Sequence, residues 1–206
     1  MTSGWVVLLN GVPRAGKSSI VSALQSSVEE PWMNLGVDVV VKHMTPAHLK
    51  PGIGLRPGGE RPDLEHYVFR SYSALYKSIA AHAALGMNVV VDLGHHNSYT
   101  TLDGRWGHYL KELEGLRVLI VGVFCPLDEI MRRRAASEEG YLSATEQGEI
   151  PLPVQRWQDE VHKPGIYDLE LDTSILSPEQ CATEILRTIA SGSRFEARDK
   201  LIALPD

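Results

Sequence analysis

Cysteine is scarce: Cys125 and Cys181 are the two in 206 residues, too far apart to frame a small scaffold and at no metal-pair spacing. A disulfide-framed secreted fold is excluded, and a reducing cytoplasm is the expected setting. Long apolar runs are missing too. No stretch approaches the roughly twenty consecutive apolar residues of a membrane-spanning helix, so no membrane partner is expected. The first apolar run, Trp5 to Leu9, has no basic segment ahead of it and leads straight into a glycine-rich loop, which marks a strand and not a secretion signal. Basic excess is likewise lacking, with 20 Lys and Arg against 26 Asp and Glu for a net charge of −6. An extended electrostatic footprint for nucleic acid is therefore not expected. Internal repeats are absent, and the Pro/Gly-rich segment Pro51 to Pro62 interrupts a domain instead of separating two. With 206 residues, 43% of them hydrophobic, the chain reads as one domain over 1–206.

What is present begins with residues 11 to 18, Gly-Val-Pro-Arg-Ala-Gly-Lys-Ser, a full match to the Walker A phosphate loop. The loop follows a strand-like run and opens a helix-like one, which is the context the motif requires. Gly11 and Gly16 let the backbone turn tightly against phosphate oxygens, and the amides through Val12, Pro13, Arg14, Ala15 and on to Ser19 form the cradle, proline apart. Lys17 is placed to reach the β- and γ-phosphates, and the Ser18 hydroxyl to meet magnesium. Arg14 either touches phosphate or faces solvent. A nucleoside triphosphate is the expected ligand.

Strand-like and helix-like patterns alternate along the rest of the chain, which predicts an α/β fold with helices on both faces of a five-stranded, mostly parallel sheet. The strands read as Trp5–Leu9, Gly36–Val41, Asn88–Leu93, Leu116–Cys125 and Asp168–Asp172. The helices read as Lys17–Ser27, Asp63–Leu85, Thr101–Leu113, Leu127–Glu139, Leu152–His162 and Pro178–Ala190, the last with Ser177 as its cap. In such a sheet ligands gather at the carboxyl ends of the strands.

Three acidic residues fall at those ends: Asp38, Asp92 and Asp172. A phosphotransfer site needs carboxylates there, to hold magnesium and to accept or orient the proton of an attacking hydroxyl. Asp92 closes the run Val89-Val90-Val91 and reads either as a magnesium carboxylate or as a helix-capping or solvated one. Asp38 lies inside the apolar run Leu35 to Val41, where burial without a partner would be costly, so it is either a functional carboxylate or a satisfied turn residue.

Taken together, the text of the chain resembles the chloramphenicol phosphotransferase-like P-loop kinases. The resemblance runs through Leu8-Leu9-Asn10-Gly11, Ala15-Gly16-Lys17-Ser18-Ser19, Glu30-Pro31-Trp32, Gly36-Val37-Asp38, Val121-Gly122-Val123, Cys125-Pro126-Leu127, Val161-His162 and Tyr167 to Ser174. It implies a P-loop kinase-type three-layer α/β/α fold, with a substrate-side insertion near 43–63 and a lid near 132–153. It also implies ATP and magnesium, and an alcohol acceptor, with the primary hydroxyl of chloramphenicol as the one suggested. By the same resemblance Asp38 is the base, Lys17 and Arg133 act on the transferring group, Ser18 and Asp92 hold magnesium, and Asp172 and Thr173 adjoin the nucleotide.

Two departures stand out. Relatives carry several arginines after the Cys-Pro-Leu segment, whereas here Arg132-Arg133-Arg134 is followed by Ala135-Ala136-Ser137, and only Arg133 matches. Three successive helical residues span about 200° of the helix, so not all three can face one triphosphate. After Asp92, where relatives often carry another acid, the chain has Leu93-Gly94-His95-His96-Asn97. His95 and His96 read as loop residues that touch substrate, since adjacent side chains rarely converge on one metal. Trp32, Tyr67, Phe69, Tyr72, Tyr76 and Trp106 read as core or as the wall of an acceptor pocket. A kinase for another small alcohol or a nucleotide, and a nucleotide-binding switch without an acceptor, are the alternatives.

Overall fold

The computed structural model describes residues 2–49, 62–96, 106–136 and 150–205. Its sheet has five strands: β1 (Trp5–Asn10), β2 (Trp32–Asn34), β3 (Asn88–Leu93), β4 (Arg117–Phe124) and β5 (Leu169–Asp172). Their spatial order is β2-β3-β1-β4-β5, and every pairing is parallel. The central position of β1 puts the phosphate loop in the crevice between β3 and β4, at the carboxyl edge.

Because successive side chains on a strand face opposite ways, the apolar runs feed two cores at once. Val7, Leu9, Val90, Leu119 and Val121 pack with α1 (Lys17–Ser27), α6 (Leu152–Glu160) and α7 (Pro178–Ala190) through Ile20, Leu24, Trp157 and Ile185. Val6, Leu8, Val89, Val91 and Ile120 pack with α3 (Glu65–Ala84), α4 (Trp106–Leu110) and α8 (Ala197–Ile202) through Tyr76, Ile79, Leu110 and Leu201. Helices thus cover both faces, which accounts for the near-continuous apolar text of the inner strands. Among the described residues no helix is long and apolar enough to cross a membrane.

One predicted strand is misplaced. The edge strand is Trp32–Asn34, and Gly36–Val41 does not extend it but turns into a short helix, α2 (Val37–Val39), continued by a wide turn over Val40–Met44. The valines favour a strand, but other interactions win. The Asn34 side chain accepts the Gly36 amide hydrogen, Leu35 makes the last ladder bond to Val90, and Asp38 pairs with Lys42 one helical turn on. Other helix ends retreat: α3 runs Glu65–Ala84 and α5 is Leu127–Ala135. Of Thr101–Leu113 the described part is α4 followed by a tight turn over Lys111–Leu113, with 101–105 outside the described residues. Segments 50–61 and 137–149, the larger part of the expected insertion and lid, also lie outside them.

Helix α8 was not expected from its short, polar text. Its start is held by Asp168, whose Oδ1 accepts the Glu196 and Ala197 amides while Oδ2 accepts the amide of Ile120. At α7 the cap forms as the sequence implies: Ser177 Oγ accepts the Gln180 amide at 3.3 Å, and Gln180 Oε1 accepts the Ser177 amide at 2.8 Å. Ser177→Ala is expected to cost about 1 kcal/mol and Ser177→Gly only a few tenths. Urea midpoints at an unchanged slope check this.

Candidate functional site

The phosphate loop is shaped by two residues with left-handed backbone, Arg14 at φ 72° and Gly16 at φ 92°. Glycine adopts that conformation freely; arginine needs support. The Arg14 guanidinium supplies it by donating to the Arg133 carbonyl at 3.1 Å, while Arg133 donates back to the Arg14 carbonyl at 3.3 Å. Gly16 caps α1 without a side chain and no acid sits in the first turn, so the positive end of the helix faces the loop uncompensated. Lys17 Nζ donates to the Gly11 and Val12 carbonyls, each at 2.8 Å. Loss of water around this ammonium pulls its pKa down to about 8, against the opposing pull of the Asp92 and Asp38 carboxylates.

Those two carboxylates reach the loop from different elements. Asp92 is the next-to-last residue of β3, which is buried throughout, and its Oδ2 accepts the Ser18 hydroxyl at 2.9 Å. Its Oδ1 is buried and has no hydrogen-bond partner among the described residues. Gly36 is what allows this placement, since a Cβ there would overlap Asp92 Oδ1. A hydroxyl and a carboxylate with one free oxygen are hard donors of the kind magnesium takes, and that ion needs few protein ligands when phosphates and water complete its shell. Asp38 sits on α2 and not at a strand end; it is about half exposed and pairs with Lys42 at 3.2 Å. The predicted Lys17, Ser18, Asp38 and Asp92 therefore come together at one edge.

Helix geometry sorts the three arginines of α5. Arg132 lies outward on Glu129, Arg134 is buried, and Arg133 points at the loop. Arg133 also donates to the Thr173 carbonyl at 2.7 Å and to its hydroxyl at 3.1 Å, while Glu129 grips its Nε. Thr173 Oγ in turn donates to the Ala15 carbonyl at 2.7 Å. Arg133 and Thr173 thus clamp the outer side of the phosphate loop. Asp172 spends its carboxylate on the backbone and hydroxyl of Ser174.

Across the edge lies a polar knot that sequence reasoning missed. Asn10 is fully buried at the end of β1; its Oδ1 accepts the His95 amide at 2.7 Å and its Nδ2 donates to the Val161 carbonyl at 2.9 Å. Tyr167 and His162 adjoin it, with the Tyr167 hydroxyl 2.9 Å from His162 Nδ1. A polar side chain between an apolar strand and Gly11 was the available signal. His95 is not a loop residue open to substrate. It is buried in an aromatic cluster, stacked on Trp106 at 5.5 Å between ring centres, and burial pushes its pKa down to about 3. Of the proposed wall aromatics, Trp32, Tyr76 and Trp106 are core, Phe69 and Tyr72 are half-buried, and Tyr67 is exposed.

Comparison with known proteins places the family and the fold. The profile of the chloramphenicol phosphotransferase-like protein family matches residues 4–190. A curated protein of Mycobacterium tuberculosis (strain ATCC 25618 / H37Rv), provisionally named an O-phosphotransferase, is 28% identical over 200 residues, covering 90% of this chain and 82% of its own length. Among solved structures, shikimate kinase from Acinetobacter baumannii in complex with shikimate superposes with a TM-score of 0.58 at 15% identity, over 93% of this chain and 96% of that one. The Mycobacterium tuberculosis APS kinase gives 0.57 at 17% identity, over 92% and 99% of the two chains. At such identities the likeness shows the fold alone, which is that of the P-loop kinases.

Two expectations follow from the site. Gly36→Ala should destabilise the protein by about 1–3 kcal/mol, as over-packing does, and should cost clearly less in an Asp92→Ala background because the overlapping carboxylate is gone. A double-mutant cycle in urea measures that coupling. The second concerns acid. His95 is held at about 3, by burial and by His96, and His162 at about 4, by burial and by the charge of Lys17, against an ordinary 6.5. Between pH 6.5 and 4 the unfolded chain binds protons that the folded one refuses, so stability should fall with pH by about 1.4 kcal/mol per unit for each histidine. Urea midpoints at pH 7 and pH 5 check the slope, and His162→Gln should remove about half of it.

Proposed function

Because the chain belongs to the chloramphenicol phosphotransferase-like family, we propose that it moves the terminal phosphoryl group of ATP to a hydroxyl of a small molecule, with the primary hydroxyl of chloramphenicol as the first candidate. The observation that carries this reading is the meeting of Asp38, Asp92 and Lys17: Asp92 is bonded to Ser18 of the phosphate loop, Asp38 stands on the short helix capped by Gly36, against which Asp92 rests, and both carboxylates act on the Lys17 ammonium. A site that only held nucleotide would have no evident use for Asp38.

In this reading Asp38, half exposed on α2, meets the acceptor hydroxyl. The acceptor oxygen forms a bond to the terminal phosphorus as the bond from that phosphorus to the bridging oxygen breaks; the hydroxyl proton passes to the Asp38 carboxylate and ADP departs. Transfer of this kind has a loose transition state, so Asp38 orients the alcohol as much as it deprotonates it. Lys17 moves from the carbonyls of Gly11 and Val12 to the phosphates, and the α1 amides hold the charge behind them. Ser18 and Asp92 would hold magnesium, which when bound neutralises charge on the phosphates. Arg133 works through the loop: gripping Arg14 and Thr173, it fixes the nucleotide side. Such chemistry belongs in the cytoplasm, acts on a dissolved molecule and, with chloramphenicol, inactivates an antibiotic. A kinase of the same fold for another alcohol uses the same residues, and an acceptor screen separates the two.

Asp38→Asn keeps the shape of the side chain but removes the proton acceptor. It should bind magnesium-ATP within about twofold of the unaltered protein and lose about 10²–10⁴-fold in transfer to the best acceptor. Calorimetry and product formation measure the two; undiminished transfer would remove Asp38 from the mechanism.

A further inference from the structure

We propose that His162 is a further residue of the transfer site, a neutral imidazole that donates its Nε2–H to an oxygen of the transferring phosphoryl group and is held in that tautomer by Asn10 and Tyr167. This rests on the phosphotransfer reading above, and it names a residue that reading does not use.

Asn10 anchors the network. Its two Nδ2 hydrogens serve three acceptors, Val161 O at 2.9 Å, Tyr167 Oη at 3.2 Å and His95 O at 3.3 Å. Tyr167 Oη therefore accepts from Asn10, and its own hydrogen has two places to go. His162 Nδ1 is 2.9 Å away; Val161 O is 3.4 Å away and already accepts the shorter Asn10 bond. The shorter contact is the better bond. We assign the Tyr167 hydrogen to the 2.9 Å contact with Nδ1 and not to the 3.4 Å one with Val161 O, which leaves the single ring hydrogen of neutral His162 on Nε2. Burial pushes the Tyr167 hydroxyl up to about 12, so the donor stays protonated over the working range.

Position supports the role. Tyr167 lies over Gly122, the β4 partner of Asn10, where a Cβ would stand 2.6 Å from its ring. The His162 ring stacks on Phe124, the last residue of β4, at 3.8 Å between centres and 16° between planes. The chain Asn10–Tyr167–His162 therefore begins at the residue before the phosphate loop and ends at the same carboxyl edge. Nδ1 is engaged, while Nε2 makes no hydrogen bond among the described residues. The charge of Lys17 reaches the ring and, after burial, is the second cause that keeps it neutral. Beside an ammonium a second cation would be repelled, whereas an uncharged N–H still stabilises phosphoryl oxygens.

Two measurements test this without an acceptor. Long-range proton–nitrogen NMR of His162 between pH 5 and 8 should show the Nε2–H tautomer, and Tyr167→Phe should convert it to a mixture; an Nδ1–H tautomer in the unaltered protein would overturn the assignment. For the role, the probe is magnesium-ADP with aluminium fluoride in place of the transferring group. His162→Phe preserves the stack on Phe124 and should bind ADP within twofold but ADP–aluminium fluoride about 10²-fold more weakly, and His162→Gln, which returns an N–H, should recover part of the loss. Equal affinities in all three overturn the proposal. Because no alcohol is involved, that failure is distinct from failure of the phosphotransfer reading, which an acceptor assay on the unaltered protein reveals.

Discussion

A positive charge drawn partly out of water at the head of a parallel sheet is the constraint that the rest of the site answers. Lys17 gives up solvation and keeps a proton only with a pKa near 8, helped by two carbonyls and two carboxylates. Every neighbour is arranged around that charge. Asp92 is held by Ser18 and by the missing side chain of Gly36; Asp38 approaches from α2; His162, within reach of the Lys17 charge, is kept neutral. Phosphate oxygens are the partner that turns this cost into binding, since the α1 amides and the ammonium then share one anion. Catalysis by charge placement requires donors fixed in advance, and both clamps around the loop serve that end: Arg133 with Thr173 on one side, Asn10 with Val161 and Tyr167 on the other.

Much of this was legible from residue order because it depends on local rules. The phosphate loop is a contiguous text, the inner strands are uninterrupted apolar runs, and the α7 cap is written in Ser177 and Gln180. The misread segment, Gly36 to Val41, failed for a tertiary reason. Its valines satisfy a strand pattern, but its glycine is there to receive a carboxylate from β3, and its aspartate pairs along a helical turn. Only the folded neighbours decide between the two.

Within the site, sequence named the groups that carry charge and missed those that carry orientation. Asn10, Tyr167 and His162 are separated by more than 150 residues at their extremes, and nothing local announces that one amide spans them. His95 looked available because it follows a strand end, yet the rings of Tyr76, Trp106 and Tyr109 close around it. Of the three arginines, Arg133 is the one that reaches the phosphate loop, and its partners show a grip on the loop backbone. Fold likeness at this distance carries no acceptor: the same architecture serves shikimate kinase and APS kinase.

The central claim is that the terminal phosphoryl group goes to an alcohol and not to water. Phosphorus NMR of the products formed from magnesium-ATP, with chloramphenicol and a panel of small alcohols supplied in turn, tests it most directly. The expected result is a phosphomonoester signal that grows with ADP in the presence of one acceptor and greatly exceeds inorganic phosphate. Inorganic phosphate alone, formed at the same rate whichever alcohol is added, would contradict it.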